Sequence, residues 1–335
     1  METHFKHQQS AHCETGVAST LLRHHGLRLS EPMVFGIASG LTYACLPFVK
    51  INGLPLMAYR MPPRLIIKLL SWRIKGLSVT FKTFKKQADG TLFLNKKLNE
   101  NQVVGLQTSV YFLPYFPKEM RFHFNAHNLI VYAKSNNNKD VYYHVSDPVF
   151  AKTQRIEASN LLKARFAKGA LAPKGRLYYL TSVPNSIDFK VVITKAIRFT
   201  GKINLSKLIP IAGISGMKKV ANKIESLQHK SPRYQQLFLG NIVRMQEEIG
   251  TGGAGFRYMY AAFLQESAEL INKPELEDWA QQFMVVGDEW REFARLCAQI
   301  NKNRGDATLK QVANTLREVA KKEEALYNKM ASFKL

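Results

Sequence analysis

Cysteine is scarce in this chain. Three occur in 335 residues, Cys13, Cys45 and Cys297, odd in number and far apart. That usage excludes a disulfide framework and makes a reducing cytoplasm the expected compartment. Acidic residues are few as well, 25 against 48 lysines and arginines. No positive-then-apolar leader opens the sequence, so no Sec-type signal is expected. An unbroken apolar run is also missing. The uncharged stretch from Pro32 to Val49 approaches membrane-spanning length, but its prolines, glycines and hydroxyl residues predict buried, broken structure and no transmembrane segment. Walker and HExxH patterns are absent, and the glycine-rich Gly250–Gly255 follows no expected strand, as a dinucleotide fingerprint would require. So are helix-turn-helix, zinc-finger and aromatic-basic signatures, and nucleic acid is not an expected partner.

What is present is a globular composition, 46% hydrophobic and 22% charged, which rules out wholesale disorder. The net charge of +23 is uneven. Residues 60–97 carry ten lysines or arginines and one acid, Asp89. Such a face steers an acidic partner, a carrier protein or an anionic membrane, or it is simply a solvated surface. Periodicity changes once along the chain. Before residue 185 the pattern is mixed. Helices are expected at Glu14–His25 with Gly26 as a stop, at Glu31–Leu41, at Arg64–Arg73, at Leu94–Glu100 and at Ile156–Arg165. Strands are expected at Ser78–Phe84, Val103–Leu113, Asn128–Ala133, Asp140–Val145 and Arg176–Thr181. This is an α+β class. After Ser182-Val183-Pro184-Asn185-Ser186 the periodicity is helical, with helices expected near 187–200, 213–228, 231–249, 254–271, 275–300 and 307–331. Two domains follow, 1–185 and 186–335, the second helical and expected to cover the cleft of the first.

Three residues combine into a chemistry. Cys13 opens the first helix, where unpaired N–H groups and the dipole favour thiolate and supply oxyanion donors. His127 heads an apolar strand, and Asp147 ends the next one before Pro148. If the two strands form a hairpin, the carboxylate comes beside the imidazole and can fix its tautomer. Nucleophile, base and orienting acid are the parts of a thiol acyl-transfer site. Each has a duller reading: a core thiol, a satisfied strand-end histidine, a turn aspartate. His4, His7, His12 and Cys13, and His123 with His127 at an i, i+4 spacing, are residue types that bind zinc, but with no HExxH pattern no metal is expected. His144 is a second candidate base, less well placed for the hairpin. Gly250–Arg257 joins two helices and reads as a tight corner before it reads as an anion nest.

His12-Cys13-Glu14-Thr15, Phe35–Leu41, Tyr111-Phe112-Leu113-Pro114-Tyr115, His127 and Asp147-Pro148 resemble, in order and spacing, the N-terminal domain of the butirosin-biosynthesis acyltransferase family. Gly250–Leu264 resembles the helical domain that commonly follows it. The resemblance implies a papain-like fold and a cytoplasmic transferase of natural-product biosynthesis. An acyl group arrives as a phosphopantetheine thioester on an acidic acyl carrier protein, with no other cofactor, and leaves on an amine or hydroxyl of a small acceptor. Carried over by position, Cys13 is the nucleophile, His127 the base and Asp147 the orienting acid. Tyr111, Arg257 and Tyr260 are substrate-binding candidates, and a homodimer is open. Papain-like enzymes place Gln six residues before the cysteine. Here His7 stands there, and Gln8 and Gln9 are the oxyanion candidates. The basic faces at Arg60–Lys97 or Lys190–Lys223 are the expected carrier docking surface. The alternative function is a cysteine hydrolase, a peptidase, amidase or thioesterase with the same triad. A non-enzymatic reading is a basic scaffold with a dead site.

Overall fold

A computed structural model describes residues 5–51, 53–137, 140–249 and 252–335. In chain order the elements are α1 (Cys13–His24), α2 (Glu31–Ile37), β1 (Leu41–Ile51), β2 (Leu54–Arg60), α3 (Leu65–Arg73), β3 (Ser78–Lys82), α4 (Gln87–Asn99), β4 (Val104–Thr108), β5 (His127–Asn137), β6 (Asp140–Ser146), β7 (Gln154–Glu157), α5 (Ala158–Arg165) and β8 (Leu177–Ser182). The helices α6 (Phe189–Leu205), α7 (Gly213–Ser226), α8 (Pro232–Val243), α9 (Arg257–Ile271), α10 (Glu275–Asn301) and α11 (Leu309–Ala331) complete the chain. Among the described residues no helix is long and apolar enough to cross a membrane.

The chain folds as two compact units. One comprises the residues up to Val34 together with Leu70–Ile187, the other Phe35–Leu69 together with Asp188–Leu335. The mixed character of the first half and the helical character of the second are both present. A single cut near 185 nevertheless misses the grouping of 35–69, which packs with the helices. The reason lies in that uncharged stretch. Instead of ending in a broken coil it continues as the hairpin β1–β2, whose Tyr43, Met57 and Tyr59 are all but fully buried. Tyr43 and Tyr59 pack their rings on Trp290 of α10, and the amide of Asn204 on α6 donates to Leu41 O.

The first unit is built on a six-stranded antiparallel sheet ordered β3-β8-β4-β5-β6-β7. On one face Leu106, Leu129, Val131, Val145, Leu177 and Tyr179 form the core with Leu94 of α4 and Leu161 of α5. The other face receives α1, which packs on β5 and β8. Val17, Ala18, Leu21 and Leu22 are buried on α1, and Gly26 ends the run with φ of 89°. Some element limits differ from expectation. The helix read as Leu94–Glu100 begins at Gln87, the strand read as Val103–Leu113 stops at Thr108 and coils into a 3₁₀ turn, and β7 had no sequence signal.

Candidate functional site

Cys13 is the first residue of α1 and is 7% exposed. Two devices fix this helix start. The His12 side chain caps it, Nδ1 accepting from Thr15 N. More strongly, the carboxylate of Glu31 accepts from Ala11 N, His12 N and Thr15 Oγ1, each at 2.8 Å. Burial pushes the Glu31 pKa up, against these three hydrogen bonds. A half-buried carboxylate on two adjacent backbone amides clamps the chain in the two residues before the sulfur. Further along α1, a Cβ on Gly16 would stand 2.5 Å from Ser10 Cβ and 2.8 Å from Pro148 Cβ. Only glycine lets the helix lie this close to the Asp147-Pro148 loop.

β5 and β6 pair antiparallel, Ile130 opposite Ser146 and Val131 opposite Val145. Asp147 therefore leaves β6 beside the start of β5. His127 Nε2 donates to Asp147 Oδ2 at 2.7 Å, and both residues are buried. The same oxygen accepts from Tyr115 OH at 2.9 Å, and Val149 N donates to Oδ1 at 3.2 Å. Burial works against a charged imidazole, but the Asp147 carboxylate and then the nearby Cys13 sulfur outweigh it and lift the His127 pKa from 6.5 to about 10. With Nε2 committed to Asp147, Nδ1 is the nitrogen left for the thiol. The structure thus brings Cys13, His127 and Asp147 together.

A fourth residue joins them that the sequence reading passed over. Asn128 Nδ2 lies 3.9 Å from Cys13 Sγ and donates to Ala126 O at 3.1 Å, while its Oδ1 accepts from Tyr178 OH at 2.9 Å. Its sequence signal is a carboxamide between His127 and the apolar run Leu129-Ile130-Val131, where a buried amide must find partners. Tyr178 fits because Gly105, opposite it on β4, has no side chain. A Cβ there would meet the phenol ring at 2.3 Å.

The other candidates fall elsewhere. His7 bridges Ser146 Oγ at 2.7 Å and the Phe150 carbonyl at 2.9 Å, tying the N-terminal segment to the Asp147 loop. Gln9 is exposed and donates to Val149 O at 3.3 Å, so its amide is spent away from the sulfur. Gln8 is half-buried. His144 contacts Ser135 Oγ at 2.9 Å, part of the neighbouring strand pair. Tyr111 is 45% exposed and stacks on His123 at 4.0 Å between ring centroids. His4 lies outside the described residues, and among those described no cluster of three or more His, Cys, Asp or Glu could hold a metal.

Arg257 and Tyr260, expected at a substrate, are both fully buried within the second unit. Arg257 Nε and Nη2 donate to the two oxygens of Glu323 at 2.7 and 3.0 Å. Trp290 Nε1 and Tyr327 OH donate to the same carboxylate at 2.6 and 2.9 Å. The guanidinium also donates to Gly255 O, so three of its five N–H groups are spent on partners inside the second unit, where it is fully buried. Gly250 and Thr251 of the preceding loop lie outside the described residues. Beyond them Gly253, Ala254, Gly255 and Phe256 all have positive φ, and Glu247 accepts from Ala254 N. A carboxylate occupies this corner where an anion nest would need an open amide.

Comparison with known families bears on this site. Residues 12–148 match the family described as butirosin biosynthesis protein H, N-terminal. Residues 159–330 match a domain of unknown function, DUF4872. No curated protein sequence matches the chain.

Proposed function

The chain belongs to the family defined by the butirosin biosynthesis protein H N-terminal domain followed by DUF4872, and from that premise we propose that it is a thiol acyltransferase of natural-product biosynthesis with a papain-like catalytic domain. The observation that supports the reading is the 2.7 Å bond between His127 Nε2 and Asp147 Oδ2, which leaves Nδ1 as the nitrogen to serve a nearby cysteine at a helix start. The Cys13 sulfur attacks the carbonyl carbon of an acyl thioester. A C–S bond forms, the carbonyl electron pair moves to oxygen, and collapse expels the donor thiol, which takes its proton from imidazolium. Neutral His127 then accepts the proton of an amine or hydroxyl as that group attacks the acyl-enzyme and Cys13 leaves as thiolate. Asp147 holds one tautomer and stabilises the imidazolium at each step.

An acidic acyl carrier protein is the donor that best suits a net charge of +23. Transfer from thioester to amine runs downhill, so the site's task is to orient the acceptor and keep water away. Intact-mass spectrometry after mixing with acyl-loaded carrier tests this. The proposal expects an acyl adduct on the wild-type chain that is missing in Cys13→Ser and discharged by an added amine. Discharge by water alone, unaffected by amines, would make the enzyme a hydrolase. Turnover that survives Cys13→Ser would end the covalent mechanism.

A further inference from the structure

Attack on a thioester puts negative charge on the carbonyl oxygen, and that charge needs donors aimed beside the sulfur. The backbone at the start of α1 offers N–H groups. Of the two glutamines before Cys13, Gln9 is exposed and donates to Val149 O. The carboxamide of Asn128 is the group the structure places at Sγ.

We infer that the Asn128 side-chain amide is the oxyanion donor of this site, with Tyr178 the positioning residue that fixes its orientation. The amide carries two N–H bonds. One is held by Ala126 O at 3.1 Å, which leaves the other facing sulfur at 3.9 Å. A flipped amide would set Oδ1 against the Ala126 carbonyl, acceptor against acceptor, so the orientation is determined. Tyr178 OH locks it from the other side at 2.9 Å. That phenol is fully buried, and burial, then Glu14 and Cys13, keep it protonated far above neutral pH, so it remains a donor. Asn128 is 5% exposed and Tyr178 1%, which gives the donor a dry, preorganised setting. When Cys13 bonds to carbon its sulfur loses negative charge, and the free N–H turns from sulfur to the adjacent oxyanion at little reorganisation.

This inference rests on the acyl-transfer reading, and two reagents that need no carrier separate the two. p-Nitrophenyl acetate acylates a thiol through a tetrahedral oxyanion: C–S forms, the carbonyl pair moves to oxygen, and p-nitrophenolate leaves. Iodoacetamide alkylates the same sulfur by displacing iodide and forms no oxyanion. With both rates followed at Cys13 by peptide mass spectrometry, Asn128→Ala is expected to slow acylation about 100-fold relative to alkylation. Tyr178→Phe, which unlocks the amide and leaves it in place, is expected to show the same selective loss to a smaller degree, and it carries the test if Asn128→Ala does not fold. Equal slowing of both reactions, or a wild-type thiol that the ester does not acylate, overturns the inference. If selective loss appears but no carrier-derived adduct forms, the donor assignment stands and the carrier reading falls.

Discussion

Replacing Asp147 with Asn keeps the side chain's shape and removes its charge. In the wild-type protein the His127 pKa stands at about 10, lifted from 6.5 by Asp147 and Cys13 against the effect of burial. That lift corresponds to roughly 5 kcal/mol of preference for the imidazolium. A histidine that binds its proton more tightly folded than unfolded adds stability that is whole below pH 6.5 and is lost as pH rises through about 10. Asp147→Asn removes the largest raising contribution while burial continues to lower the pKa. The imidazole is therefore expected to titrate about 2–3 units lower. Tyr115 OH and Val149 N, both donors to the carboxylate, then face an amide that accepts through one oxygen only.

Two measurements check this. In protein labelled with ¹³C at histidine Cε1, one resonance should titrate near pH 10 in wild type and move to lower pH in Asp147→Asn. Acyl transfer should lose its alkaline limb at the corresponding pH and fall by roughly 10²–10⁴-fold near neutrality, the range seen when an orienting carboxylate is lost from a catalytic histidine. Urea denaturation should show wild-type stability declining between pH 6.5 and 10 and a flatter profile in the variant. A resonance that still titrates near pH 10 in Asp147→Asn would refute the coupling.

Gly16→Ala places a Cβ within 3 Å of Ser10 Cβ and Pro148 Cβ, so about 1–3 kcal/mol of stability should be lost in urea titrations, with transfer activity falling as the Asp147 loop is pushed from α1. Full activity with unchanged stability would show that the loop yields freely. Arg257→Met leaves the Glu323 carboxylate buried without its cation and should cost about 3–5 kcal/mol in thermal or urea unfolding. A shift in acceptor KM with undisturbed stability would instead return Arg257 to a ligand-binding role. Lys82, Lys85, Lys86 and Lys96 are exposed around β3 and α4. Changing all four to Glu should raise KM for an acidic carrier, steeply at low salt and little at high salt. An unchanged KM across that salt range would place docking on another surface.

The parts of this site that were legible in the sequence are those whose signals are local. A cysteine before the run Val17 to Leu22 reads as a helix start, and strands separated by a turn read as a hairpin, so Cys13 and the His127–Asp147 pairing follow from neighbours along the chain. What was not legible depends on which faces meet. Strand alternation assigns adjacent residues to opposite sides, so choosing His127 sets Asn128 aside, yet both reach the Cys13 sulfur. Arg257 follows a glycine-rich loop, which by pattern suggests anion binding. Only the packing of α11 against α10 reveals Glu323 waiting inside. The hairpin β1–β2 was hidden because its burial does not alternate along β1, running from buried Leu41, Thr42 and Tyr43 to exposed Phe48, so the stretch carries no two-residue period to mark it as strand. Glu31 looked like an ordinary acid at the head of a helix, and its grip on Ala11 N and His12 N reaches back twenty residues. These long-range polar contacts share one physical property. Each satisfies a buried donor or acceptor that local structure leaves open, and such groups are where a sequence must be completed by its fold. Asn128 is the member of that set whose remaining hydrogen points at the reactive sulfur, and for that reason it is assigned chemistry while Arg257, equally buried and polar, is assigned to the core.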